Sequence, residues 1–64
     1  MEETKLLRLS YLMLQRLSNS SVLIAIETDA LRAQLRNKIS EIEGMDCEQL
    51  QNETEHMASL NPIR

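Results

Sequence analysis

Glu43-Gly44-Met45-Asp46-Cys47-Glu48-Gln49-Leu50-Gln51 is the stretch that punctuates this chain most sharply. Gly44 is its only glycine and closes a segment, Val22 to Glu43, that holds neither Gly nor Pro. It stands where a helix would end and the backbone turn through positive φ at no steric cost. Asp46 and Gln49, three residues apart, read as a capping-box pair opening the next helix. Met45 and Leu50 hold the positions of a hydrophobic staple, and Glu48 puts negative charge in the first turn, where the helix dipole favours it. A connection as short as Gly44-Met45-Asp46 predicts antiparallel helices, with the hairpin turn at 44–46.

Working outward, Ile24, Leu31, Leu35, Ile39 and Ile42 share one side of a helix expected over 21–43, and Val22, Leu23 and Ile26 add apolar width at its start. Beyond the turn a helix is expected over 47–60, with Cys47 or Leu50, then Thr54, Met57 and Leu60, on its contact face. Asn61-Pro62 ends it, and 61–64 reads as a loose tail. The expected hairpin core is therefore Leu31, Leu35, Ile39, Ile42, Leu50, Met57 and Leu60. The arm before the turn is the longer one, so its first turns have no partner inside the hairpin; either the N-terminal helix folds back over them or another chain does.

Residues 3–18 form the third expected helix. Leu6, Leu9, Met13 and Leu17 recur at spacings of three and four, with Leu7 and Leu14 widening the stripe. Tyr11 lies at its margin and Leu12 almost opposite, either as surface residues or because a partner covers a second side. Ser18-Asn19-Ser20-Ser21 favours a break or kink, since these side chains compete for backbone groups; one helix running through is the alternative. The fold predicted is all-α: a short N-terminal helix plus an antiparallel helical hairpin, in one small domain spanning 1–64.

A chain of 64 residues buries only about 60% of the surface its unfolded form exposes, so extra stability has to come from somewhere. One cysteine excludes an internal disulfide, and one histidine makes a poor metal set. A partner or self-association is what remains. Leu6, Leu9, Met13, Leu17, Leu23 and Ile26 are the expected partner-binding residues. The longest wholly apolar run, Val22 to Ile26, is too short to span a bilayer, and Glu2 and Glu3 stand where a signal peptide would carry positive charge. No membrane role is expected, and the lone cysteine suits a reducing, cytoplasmic setting.

The net charge of −3 is uneven: six basic against four acidic groups in 1–38, one against six in 39–64. An acidic second half disfavours binding to nucleic acid by phosphate neutralisation. Arg32, Arg36, Asn37 and Lys38 form a small basic patch compatible with nucleic acid, and equally with an acidic protein or plain solubility. No nucleophile, base and orienting group stand together, and no phosphate loop or metal-ligand spacing occurs, so neither an enzyme nor a cofactor is expected. His56 reads as an exposed polar residue near a helix end. Cys47, in a first helical turn, is either a modestly reactive thiol or a side chain packed against the turn.

Gly44-Met45-Asp46-Cys47-Glu48-Gln49-Leu50-Gln51, followed by Asn52-Glu53-Thr54, resembles the turn and following helix of the small co-chaperones of type III secretion needle subunits. Those proteins share a long helix, a short Gly- or Asp-containing turn and a Gln-apolar-Gln opening to the second helix, here Gln49-Leu50-Gln51. The likeness covers about residues 30–58. The chain departs from it in ending at Asn61-Pro62 without a longer apolar finish, and in carrying Leu50 where an aromatic is common. The resemblance implies a bacterial virulence-associated protein that pairs with a larger helical-repeat chaperone and keeps the needle subunit unpolymerised. The alternatives are a homo-oligomer, or an adaptor or inhibitor that binds a regulator.

Overall fold

The computed structural model describes residues 2–61. They form α1 (Glu2–Ser20), α2 (Val22–Glu27), α3 (Asp29–Glu43) and α4 (Cys47–Leu60). With its 19 residues α1 is the longest helix, and it packs against each of the other three. A short helix lying beside a self-contained hairpin is therefore not what forms. The four helices make a bundle organised on α1, and the α3–α4 contact is lighter than either helix's contact with α1.

The reason lies on the Tyr11 side of α1, which takes in Leu7 at the edge of the leucine stripe and turns Leu6, Leu9 and Met13 outward. Tyr11 of α1, Ile39 of α3 and Leu50 of α4 form one fully buried cluster, with Leu7, Leu35 and Met45 packed against it. Tyr11 is 1% exposed and is the largest of the three. The Tyr11 ring is long enough to pack with Ile39 and Leu50 at once while its hydroxyl meets Arg36, so the face that carries it turns inward. Of the seven residues expected to hold the hairpin together, Ile39 and Leu50 are buried and Leu35 is half-buried. Leu31, Ile42, Met57 and Leu60 stand exposed, because α1 occupies the space in which they would have met.

A seam of polar bonds sets the register between α1 and α3. Arg8 on α1 grips Glu43 at the far end of α3 through two hydrogen bonds, 2.7 and 2.6 Å long. Arg36 donates to the Tyr11 hydroxyl at 3.2 Å, and Arg32 to Gln15 Oε1 at 3.2 Å. The Ser18 and Thr28 hydroxyls meet at 3.0 Å. As the α1 number rises the partner's number falls, so α1 and α3 are antiparallel. Arg16 donates to the carbonyl of Asn61 at 2.6 Å, which places the end of α4 towards the end of α1; those two run parallel. Gln15, Ser18 and Thr54 are buried, and among the described residues no buried side-chain polar atom lacks a partner. Each would otherwise cost roughly 1–3 kcal/mol.

Two joints shape the chain before the turn. Ser18, Asn19 and Ser20 stay helical, Ser18 and Ser20 by donating their hydroxyls back to the carbonyls of Leu14 and Leu17. The break falls on Ser21 alone, whose extended backbone and side chain cap α2 by accepting from the Ile24 N–H. The single helix expected over 21–43 is divided at Thr28, with φ −99° and ψ 2°. Thr28 donates its hydroxyl to the Ile24 carbonyl at 2.7 Å and accepts from Arg32 Nε at 3.3 Å, so the bend is held by side-chain bonds that need neither Gly nor Pro.

Gly44 adopts φ 67°, and its N–H and that of Met45 both reach the Ser40 carbonyl. Ser40 donates its hydroxyl to the Met45 carbonyl. Met45 packs on the cluster that contains Leu50. The capping box is not formed: Asp46 holds the N-cap position with no side-chain bond to the helix, and Gln49 donates to Glu53 at 3.4 Å. Gln49 sits three residues into α4, but its side chain turns along the helix to donate to the charged Glu53 carboxylate, away from the Asp46 N–H from which it would have accepted. Of the expected tail, Pro62 to Arg64 lie outside the described residues.

Candidate functional site

Burying Tyr11 inward has a direct cost on the opposite side of α1. Leu6, Leu9 and Met13 follow one another at helical spacing along its outer face, and all three are exposed. Leu17 at the end of the stripe is half-buried. Leu31 of α3 lies beside them, and a shallow groove of about 520 Å³ runs between Leu6, Leu9 and Met13 on one wall and Leu31 and Leu35 on the other.

On the other flank of Leu9 a second groove, of about 590 Å³, lies between α1, the end of α3 and α4. Leu9, Leu12, Ile42, Thr54 and Met57 line it. The Arg8–Glu43 pair closes its side at 2.6 Å. The short hydrogen bond from Arg8 holds the Glu43 carboxyl below its ordinary range, and the same bond raises the Arg8 guanidinium. Both groups stay charged at neutral pH.

A separate apolar patch sits on α2. Val22, Leu23 and Ile26 are all about seven-tenths exposed, on a helix only 6 residues long with no buried residue. Of the expected partner-binding residues, then, Leu6, Leu9 and Met13 share one face of α1, while Leu23 and Ile26 belong to α2 beyond the Ser21 joint. Ile42 and Met57, expected inside the hairpin, line the second groove instead. Leu12, a side chain with no firm place in the sequence pattern, joins them there. Its position almost opposite the stripe was the available signal.

The basic patch is largely spent within the fold. Arg32 bonds Thr28 Oγ1, Gln15 Oε1 and the Ala25 carbonyl, and Arg36 bonds Tyr11, which leaves Asn37 and Lys38 exposed. His56 is exposed on α4. Cys47 is half-buried, its thiol 3.5 Å from Asn37 Oδ1. Among the described residues no three His, Cys, Asp or Glu side chains converge as a metal set. No described helix is long and apolar enough to cross a membrane. What the arrangement offers chemically is apolar contact area with charge along its edges.

No family model matches the chain, and neither a curated protein nor a solved structure does.

Proposed function

We propose that this chain is a non-enzymatic protein-binding subunit that presents the outer face of α1 and the exposed side of α2 to a larger helical protein. One observation carries it: Leu6, 64% exposed, and Leu23, 72% exposed, lie with Leu9, Met13 and Ile26 on the outside of a domain too small to spare apolar surface. Exposed apolar patches of this sort mark surfaces that another molecule covers. A stripe at spacings of three and four suits helix-against-helix contact, where side chains interdigitate along a ridge.

The specific form of this function is a co-chaperone that steadies a larger helical-repeat chaperone and helps keep a type III secretion needle subunit unpolymerised. Its support is the resemblance at Gly44 to Thr54, together with the uncovered leucines that such a role requires. The test is affinity capture from the native host with the wild-type chain and with Leu6→Glu/Leu23→Glu, followed by mass spectrometry. Wild type is expected to retain a helical-repeat protein and a needle subunit, and the variant to lose both. Identical recoveries, or none from wild type, would defeat the proposal.

A further inference from the structure

The groove between α1 and α3 is apolar inside and basic along both long edges. Leu6, Leu9 and Met13 form one wall, Leu31 and Leu35 the other, and the small Ser10 between them leaves room at the centre. On the α1 edge Lys5 precedes Leu9 by four residues and Arg16 follows Met13 by three, its guanidinium 3.7 Å from the Met13 sulfur. On the α3 edge Lys38 follows Leu35 by three. Residues at those spacings are neighbours on a helix surface. Lys5 and Lys38 are exposed and their ammonium groups bond no described residue, while Arg16 bonds Met13 and the Asn61 carbonyl but no described carboxylate. Of the described carboxylates on these two helices, Asp29 and Glu43 pair with Arg32 and Arg8. Glu3 stands past Leu6 at one end, and Glu41 comes three residues after Lys38, outside the lining. The long edges are left positive.

We infer that this groove seats one amphipathic helix of the partner, with an apolar stripe at spacings of three and four and Asp or Glu on both flanks. This assignment rests on the reading of the outer face of α1 as a partner surface, and gives that partner its chemistry. Leu6 to Met13 spans about 10 Å of helix, which two turns of a seated helix match. Two apolar walls with a trough between them take a third helix as a groove takes a ridge. Carboxylates on its flanks meet Lys5 and Arg16 on one side and Lys38 on the other. Opposite potentials of this kind fix the orientation of a bound helix and reject a basic competitor. A second copy of this chain fits less well. Its α1 would bring Lys5 and Arg16 again, like charge to like. Its acidic helix, α4, spends the stripe Leu50, Thr54 and Ala58 inside its own bundle.

Fluorescence anisotropy with two labelled synthetic peptides, each about 18 residues long so that it can be helical, is the test. Both carry Leu at spacings of three and four; one has Glu on its flanks and the other Lys. The purified chain is expected to bind the Glu peptide about tenfold tighter or more at low salt, and molar salt should shrink that difference. Leu6→Glu and Leu31→Glu should abolish binding, while Met57→Lys, in the neighbouring groove, should leave it unchanged. The triple variant K5E/R16E/K38E should prefer the Lys peptide. Circular dichroism of each variant separates loss of binding from loss of fold. Equal affinity for the two peptides, no binding of either, or loss through Met57→Lys in place of Leu31→Glu would each overturn the acidic helix. So would sedimentation of the chain alone as a dimer that Leu31→Glu dissolves, which gives the groove to a second copy. A host partner captured through Leu6 and Leu23, with both peptides unbound, would remove the acidic helix and leave the proposed function standing.

Discussion

The Tyr11 hydroxyl accepts a hydrogen bond from Arg36 Nη1 at 3.2 Å, although the tyrosine is 1% exposed and sits in the innermost cluster of the chain. Its ring packs with Ile39 and Leu50 while its oxygen reaches the polar seam. The ring and the hydroxyl therefore contribute separately. Tyr11→Phe keeps the packing and leaves one Arg36 donor to water, an expected loss of about 1 kcal/mol. Tyr11→Ala empties the cluster at about 3–5 kcal/mol, enough to unfold a marginal domain. Urea denaturation followed by circular dichroism measures both; equal effects would remove the ring from its central place.

Arg32 should tolerate little change. It bonds Thr28, Gln15 and the Ala25 carbonyl from one planar guanidinium, and a lysine cannot span the three. Arg32→Lys is expected to cost about 1–2 kcal/mol by leaving a buried acceptor unmet. An unchanged melting temperature would show that these bonds add nothing to the fold.

Gly44 offers a clean measure of backbone strain. A Cβ there meets nothing within 4 Å, so Gly44→Ala is opposed by the φ of 67° and not by crowding. The expected cost is about 1 kcal/mol, with Gly44→Asn costing less because asparagine enters this region more readily. Thermal melts of the two variants give the comparison, and an alanine as stable as the glycine would contradict the left-handed turn.

The Arg8–Glu43 pair predicts how stability varies with pH. Glu43 is held below its ordinary value of 4.5 by the hydrogen bond from Arg8, so its stabilising effect is present above that value and fades as pH falls further. At neutral pH and low salt Glu43→Gln should melt below wild type. As pH drops below about 4.5 the gap should close, and molar salt should narrow it at neutral pH because the pair is exposed. A gap constant from acid to neutral would dismiss the ion pair as its source.

Core and outer faces should separate sharply under substitution. Ile39→Ala is expected to cost about 2–5 kcal/mol, whereas Leu6→Glu and Leu23→Glu should stay within about 0.5 kcal/mol of wild type. Chemical denaturation of the three variants decides it. A large loss at Leu6 or Leu23 would make them structural and withdraw them from the partner surface.

The helical class and the Gly44 turn were legible because each rests on local chemistry: periodic apolar residues, and one glycine where a helix has to stop. The Asp46–Gln49 box was misread because spacing cannot say whether the Gln49 side chain turns back to accept from the Asp46 N–H or forward to donate to Glu53. The division at Thr28 left no mark of the usual kind, since a hydroxyl bonded to Ile24 does what a proline would announce. The larger misreading concerns Tyr11. Periodicity ranked the leucine stripe of α1 as its dominant face, but the single aromatic of the chain outweighs that stripe by filling a space shared by three helices. Leu9 and Leu12 could be placed on α1 from spacing alone. Their groove could not, because its far wall comes from Ile42 and Met57, positions assigned elsewhere until the bundle is known.

That α1 rests most heavily on α4 also orders events in time. The ribosome makes α1 before α4, so Tyr11 waits for Leu50 through the synthesis of everything between them. During that interval α3 can bring Ile39 and Arg36 to Tyr11, but the side of the cluster that Leu50 fills stays open. A nascent or truncated chain ending before Cys47 therefore shows the solvent a half-covered core as well as its leucine face, the form most exposed to aggregation, proteolysis or capture by a chaperone.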